Sequence, residues 1–584
     1  MEAKIKRLIA HAIQDIDADA LLDIQLTIPQ LQFGDFSTNI ALILAKKQKK
    51  NPMGLAEKIK QNMKVDEDIE SVQVLKPGFI NIWLSKKTLL QKFITIAIND
   101  EQWGKSTILK DKKIMVEYTD PNFFKEFHVG HLYSNIVGES IARLFEVSGA
   151  IVKRANYQGD VGMHVAKYIW GMIQKMKDES LTLEKINHFK LADKAKFMGQ
   201  AYTLGTQAFE KSEELKKEIG EINKKIYTLD PEILKFYDTS RKWTLAYYET
   251  VYERLGTKFD YYYFEREAGK IGLELVKKYL KGGIFETSDG ATIFHGENYG
   301  LHTRVFINSA GFPTYEAKDL GLALTKYEDF PYDSSLIVVG SEVKEYFTVV
   351  LKALEKINPE LRKKTSHIFH GMVRLPEGKM SSRLGNIVTG TWLLDESAKK
   401  AKEKIQEVKK VGNNEEGSKV VLDKQDETAE IVGLAAIKYA LLKNNVGGNI
   451  KFDFDESVSF EGNSGPYLQY TYVRCQSVLE KTDMLDFASL TRTISSLNED
   501  ESSLLRLCYQ FPEIVSKSAV SKCPNYVATY LFDLAQTFNF FYQKNPILKA
   551  EEDKKKLRLL LTKITSQIIK EGLYLLGIQT VQKM

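Results

Sequence analysis

The sequence predicts a multidomain α/β protein with a small N-terminal α+β domain, a central parallel sheet crossed by helices, and an all-helical C-terminal domain. Three observations predict it. At 584 residues the chain exceeds what one hydrophobic core serves, so three or four domains are expected. From Lys112 onward, short apolar runs alternate with helical stretches, the pattern of a parallel sheet with crossover helices. Beyond about residue 456 the apolar spacing is helical throughout. The 43% hydrophobic and 27% charged residues are the mix of an ordered globular protein.

The elements follow in order. Ile5, Leu8, Ile9, Ala12, Ile13 and Ile16 carry the 3.6-residue rhythm of an amphipathic helix. Phe79, Ile80, Asn81, Ile82, Trp83 and Leu84 read as a strand after the Pro77-Gly78 turn, so a first domain over 1–85 is expected. Ile114–Tyr118 and Ser335–Val339 are the clearest strands of a central domain over 110–395. A lysine- and glutamate-rich helical section over roughly 175–255 reads as an insertion, with its outer limit near 300. Around Val408–Glu427 the sequence turns polar, with Gly412, Asn413, Asn414 and Gly417 together, as in a linker or exposed hairpin. That stretch falls in a connecting region, 396–455. The last domain, 456–584, includes Val527, Tyr530, Leu531, Leu534, Phe538 and Phe541 on one face of a long helix.

Several classes are excluded. No run approaches 18 uninterrupted apolar residues, so no spanning helix is expected. Glu2, Asp15, Asp17 and Asp19 among the first apolar positions are foreign to a signal peptide. Cys475, Cys508 and Cys523 form no CxxC pair, so neither a disulfide framework nor a structural metal is expected, and a reducing cytoplasm fits. The net charge of +5 permits an anionic partner without demanding one.

Two motifs carry chemistry. Ile114-Met-Val-Glu-Tyr-Thr-Asp-Pro-Asn122 leads into Phe127-His128-Val129-Gly130-His131 and then a helical run. A helix start offers unpaired N–H groups and a positive dipole end, which favour phosphate. Gly130 lets a planar base approach the backbone, and the imidazoles of His128 and His131 are placed to donate to phosphate oxygens. Far downstream, Lys379-Met380-Ser381-Ser382-Arg383 follows Pro376-Glu377-Gly378. A lysine and two hydroxyls on a glycine-flanked loop suit a triphosphate and its leaving pyrophosphate.

Together the motifs resemble the HIGH and KMSKS signatures of class I aminoacyl-tRNA synthetases, in the expected order. Within that class the chain resembles the arginyl-tRNA synthetases over nearly its whole length. The similarity runs through Glu117–Arg143, Tyr157-Gln-Gly-Asp160-Val-Gly162, Pro313-Thr-Tyr315-Glu-Ala-Lys-Asp319, Phe460–Tyr470 and Leu575–Met584. It implies a Rossmann-like catalytic domain, an N-terminal tRNA-binding domain, a region over 396–455 that meets the tRNA stem, and an α-helical anticodon-binding domain. The implied substrates are L-arginine, ATP with Mg2+, and tRNA(Arg), with no structural metal and a monomeric chain. Phe127, Val129, Gly130, His128, His131 and Met380 would bind ATP. His128, His131, Lys125, Lys379, Ser381 and Ser382 would be catalytic. Glu117, Asn122, His131, Tyr315 and Asp319 would hold arginine, since a planar, permanent cation needs fixed carboxylates and acceptors. Phe79 and Asn81 would meet the tRNA elbow; Tyr467, Gln469, Tyr470, Arg474 and Met584 would meet the anticodon end.

Two positions depart from the family pattern. Ser382 replaces the second KMSKS lysine, and Lys125, just before HIGH, stands where many arginyl enzymes compensate. Val343 follows Glu342 where a glutamine is common, and its side chain neither donates nor accepts. The family also implies that tRNA is needed for amino-acid activation.

Overall fold

In a computed structural model of the chain, every residue is described except 15, 17–23, 28, 100–102, 376–388, 412–419, 483–486, 488–496 and 584. The N-terminal domain contains α1 (Glu2–Ile13), β1 (Phe36–Thr38), α2 (Ile40–Gln48), α3 (Pro52–Asn62), β2 (Ile69–Leu75) and β3 (Phe79–Leu84). Its sheet is antiparallel in the order β1-β3-β2. Ile5, Ile9 and Ile13 of α1 are fully buried with Ile80 and Ile82 of β3, as the sequence rhythm requires. The helix α4 (Lys86–Asn99) leads toward the central domain.

That domain alternates strands and helices: β4 (Lys113–Glu117), α5 (Val129–Val147), β5 (Ile151–Gln158), then α6 (Met163–Asp178). A helical excursion follows through α7 (Leu183–Asn187), α8 (Leu191–Lys211), α9 (Glu213–Tyr227) and α10 (Pro231–Leu255). The chain returns as β6 (Tyr261–Phe264) and α11 (Glu265–Leu280), passes a small antiparallel sheet of β7 (Glu286–Ser288), β8 (Ala291–Phe294) and β9 (Arg304–Ile307), and enters α12 (Tyr315–Asp329). Finally come β10 (Ser334–Gly340), α13 (Lys344–Ile357), α14 (Pro359–Lys364) and β11 (Thr365–His370). The main sheet is wholly parallel, in the order β11-β10-β4-β5-β6.

This corrects the expected insertion over 175–300. β6 pairs in parallel with β5, Tyr261 opposite Ala155, so residues past 255 return to the sheet. The strand was missed because four aromatic residues carry no alternation to read.

β12 (Val373–Arg374) precedes α15 (Gly390–Val411) and α16 (Val420–Leu442), two long helices packed together where a polar linker was expected. Within Val408–Glu427 only 412–419 lie outside the described residues; the flanks are helical. After β13 (Ile450–Lys451) and α17 (Phe454–Ser457) the chain is all helix: α18 (Gly465–Leu479), α19 (Glu499–Tyr509), α20 (Phe511–Ser521), α21 (Asn525–Lys544) and α22 (Glu552–Leu575). Val527, Leu531, Leu534, Phe538 and Phe541 of α21 are fully buried. Among the described residues no helix is long and apolar enough to cross a membrane.

Candidate active site

β4 and β10 lie side by side, yet the chain leaves them in opposite directions, toward β5 and toward β11. Connections that part in this way open a crevice beyond the strands' carboxyl ends. Glu117 ends β4 there, and α5 begins just across the loop. The loop is stitched in place. The Thr119 N–H donates to Ser134 Oγ of α5, which donates to the Val338 carbonyl of β10. The buried Tyr118 ring fits beneath α5 because residue 138 is glycine: a Cβ there would lie 2.2 Å from Tyr118 Cγ.

His128 is the N-cap of α5. Its Nδ1 accepts from the N–H groups of Gly130 (3.1 Å) and His131 (3.3 Å), while His131 Nδ1 faces the His128 N–H at 3.4 Å. The motif therefore caps its own helix reciprocally. The rings stack with centroids 3.4 Å apart, and a Cβ on Gly130 would come within 3.0 Å of the His128 ring. With each Nδ1 facing a backbone N–H, the proton of the neutral ring is assigned to Nε2, leaving a donor on each ring. Burial, reinforced by Lys125, lowers His128 to about 4, and burial drives His131 well below the ordinary histidine value. Both are neutral donors at pH 7.

Lys125 is close enough to depress both histidines, and its ammonium lies 4.9 Å from the centre of the Tyr202 ring. Val129 is partly exposed beside them. Phe127 is a correction: its ring is fully buried against Tyr248, Tyr252 and His131, and its carbonyl accepts from the Gly390 N–H. It braces the motif and presents no face to a nucleotide. Lys379, Met380, Ser381 and Ser382 lie outside the described residues.

Next to the helix start is a cavity of about 370 Å³, lined by Glu117, Asp120, Asn122, Tyr157, Tyr315 and Asp319 among others. It gathers four expected amino-acid-binding residues, 117, 122, 315 and 319, from β4, the loop after it and α12. Glu117 is buried and paired with Lys326 Nζ at 2.5 Å, an ion pair that neutralises it. Asp319 accepts from the Tyr346 hydroxyl at 2.5 Å. Burial pushes its carboxyl up to about 8, with Glu117 and Glu265 adding to the shift and the tyrosine opposing it. A guanidinium would restore the ionised form. Lys326 and Tyr346 were not anticipated. Lys326 stands seven residues after Asp319, two turns along one face of α12, and that spacing is the only signal the sequence offered.

The RNA-facing expectations divide. Phe79 is exposed, whereas Asn81 is buried and accepts from Ser37 Oγ across β1 and β3. Asn81 is thereby corrected to an internal pin of the small sheet. Gln469 is likewise corrected: it is buried, and its amide donates to the Gln579 carbonyl at 2.6 Å. Tyr470 is exposed, the Arg474 guanidinium lies over it and over Tyr542, and Tyr467 accepts from Asn539. Met584 is outside the described residues.

With this geometry, comparison with known proteins is direct. Residues 93–454 match the catalytic domain of class I (R) tRNA synthetases, and 468–584 match the DALR anticodon-binding domain. The fold and the paired-histidine site thus define a class I aminoacyl-tRNA synthetase. Residues 3–84 match the N-terminal domain of arginyl-tRNA synthetases. An arginine–tRNA ligase of Bacteroides thetaiotaomicron is 30% identical over 580 residues, covering 96% of each chain. One from Fusobacterium nucleatum is 31% identical over 554 residues, covering 94% of each. The arginyl-tRNA synthetase of Thermus thermophilus has the same fold, with a TM-score of 0.80 at 23% identity and full coverage of both chains. The chain belongs to the arginyl-tRNA synthetase family.

Proposed function

We propose that the chain activates L-arginine with ATP and transfers it to the 2′-hydroxyl of the terminal adenosine of tRNA(Arg). The observation that carries this reading is a cavity with uncompensated carboxylates beside a histidine-capped helix start. The arginine carboxylate attacks the α-phosphorus, an acyl–phosphate bond forms as the bond to pyrophosphate breaks, and no general base is needed. ATP enters as its magnesium complex. Such an ion is carried chiefly by the substrate phosphates.

His128 and His131 donate to phosphate oxygens through Nε2, and Lys125 with the Lys379–Arg383 motif balances the charge that develops on the leaving group. Val129 and Gly130 border the nucleotide. Asn122 and Asp319 hold the amino acid, Tyr315 covers it, and Glu117 shapes the pocket through its lysine partner. The tRNA is met by Phe79 at one end and by Tyr467, Tyr470 and Arg474 at the other, with stacking as the main contribution. The active unit is a monomer in the cytoplasm.

The test is ATP–pyrophosphate exchange with each of the twenty amino acids, with and without tRNA. Exchange with arginine alone, dependent on tRNA, is expected. Equal exchange without tRNA would remove the coupling, and no exchange with any amino acid would leave a non-catalytic RNA-binding relative.

A further inference from the structure

Four carboxylates border the amino-acid cavity: Glu117, Asp120, Glu265 and Asp319. Two carry their own counter-ion, since Lys326 pairs with Glu117 at 2.5 Å and Lys318 with Glu265 at 2.7 Å, all four side chains being buried. Asp120 and Asp319 have no ion pair among the described residues. Burial, with Glu117 adding, pushes both carboxyls up, Asp319 to about 8 and Asp120 well above the ordinary carboxylate range, so among the described residues nothing holds this pair ionised and a positive ligand would do so.

Asp120 is also held in position. Its Oδ1 accepts from the Tyr157 N–H at 2.8 Å, and no bond to Oδ2 is made among the described residues. The backbone that carries it is strained: Thr119 has φ 81° and Asp120 φ 41°, consecutive left-handed conformations in residues with side chains. Such conformations cost of order 1 kcal/mol or more each and persist where surrounding structure enforces them. Here the Thr119 N–H bond to Ser134 and the Asn135 amide bond to Thr119 Oγ1 do so.

An independent observation concerns neutral groups. The Tyr157 hydroxyl and both ring nitrogens of His367 are buried, line the same cavity, and have no hydrogen-bond partner among the described residues. Burial holds His367 far below the ordinary histidine value, so it is neutral and keeps an acceptor nitrogen. Orphaned acceptors next to unpaired carboxylates match a planar cation with five N–H donors. Val343, in the same lining, contributes none of this polarity.

We propose that Asp120 is a further substrate-binding residue, its carboxylate meeting a cationic group of arginine alongside Asp319. The assignment rests on the functional reading above. It moves the electrostatic recognition away from Glu117, which Lys326 already satisfies, to a loop residue fixed by strain and by Tyr157.

The test is D120N, which keeps the size and the acceptor for the Tyr157 N–H and removes only the charge. In tRNA-dependent exchange the KM for arginine rises at least tenfold, while the KM for ATP stays within twofold. Competition by citrulline, which lacks the guanidinium charge, identifies the group. If Asp120 meets the guanidinium, the preference for arginine over citrulline falls tenfold in D120N. If it meets the α-ammonium, that preference is kept while arginine binding still weakens. An arginine KM within twofold of the unsubstituted chain, with the ATP KM unchanged, overturns the proposal. Should D120N fail to fold, D120S is read by the same criteria. Absence of arginine-dependent exchange in the unsubstituted chain would sink the functional reading itself, a result distinct from normal exchange by D120N.

Discussion

Two regions at opposite ends of α5 bury a lysine in opposite ways. At the start of the helix, Lys326 sits in the amino-acid cavity against Glu117. Burial works against its charge, yet Glu117 holds its pKa above the ordinary lysine value. At the far end, Lys438 of α16 is also buried, but among the described residues its ammonium donates only to carbonyls, Leu255 at 2.7 Å and Gly577 at 2.5 Å. It has no ion pair among the described residues, and burial, with Arg143 adding, lowers it to about 7. The same residue type is thus a permanent charge in one place and close to neutral in the other. In the pocket the lysine cancels one carboxylate, and the carboxyls left without an ion pair ionise against the charge of a ligand. At the junction the lysine bonds the ends of α10 and α22, drawing the excursion and the last helix together.

Breaking the pocket pair gives the largest expected effect. K326M leaves Glu117 as a lone buried carboxylate, which costs about 3–5 kcal/mol of stability. Urea unfolding measures it. The double variant E117Q/K326M recovers most of that loss, because nothing charged is left behind. A cost below about 1 kcal/mol for K326M alone would show that the two lysines are equivalent after all.

The second effect concerns what the pair leaves unpaired. D319N removes a carboxyl whose only partner among the described residues is Tyr346, and the charged hydrogen bond it would make to the ligand is worth about 1.5–3 kcal/mol. The kcat/KM for arginine in tRNA-dependent exchange falls by roughly 10- to 150-fold, with unfolding little changed. A loss of stability equal to that of K326M would mean that Asp319 is structural.

How much of this could be read in the chain differs between the same two regions. The histidine motif was readable because a strand exit and a helix start are local patterns, whereas Tyr315 and Asp319 were expected only through the resemblance to arginyl-tRNA synthetases. The Lys326–Glu117 pair was not, because its members are 209 residues apart and a lysine on a helix reads as solvated surface. Asp120 was passed over for a similar reason: an aspartate before proline reads as a turn, and only the fold reveals its place in the cavity. Asn81 and Gln469 misled in the opposite direction. An amide suits an RNA base and an internal carbonyl or hydroxyl equally, and burial decides between them. Lys438 gave no sign of itself, since two carbonyl acceptors leave no trace in side-chain chemistry.

The junction yields the smallest effect and the one with a pH signature. The carboxyl half of α5 is tied to the end of α22: Ser140 Oγ donates to the Leu575 carbonyl, and Arg143 donates to Tyr574 and to Gly256. Lys438 completes this set, so K438M orphans two carbonyls and costs about 1–3 kcal/mol. The sign of the pH dependence follows from its depressed pKa. Between about 7 and the unfolded lysine value of 10.5, the unfolded chain binds a proton that the folded chain does not. Stability from this group therefore rises with pH through that window and is lost as pH falls toward 7. Arg143 and Glu139 face the group; burial works to raise the Glu139 carboxyl, but Arg154 and Arg143 outweigh it and hold Glu139 below its ordinary value, so it stays ionised across the window. K438M is expected to flatten the slope of unfolding free energy between pH 7 and 10, measured against the unsubstituted chain in the same urea series. An unchanged slope would mean that Lys438 keeps its proton on carbonyl bonds alone, and the contrast with Lys326 would be one of partners but not of charge.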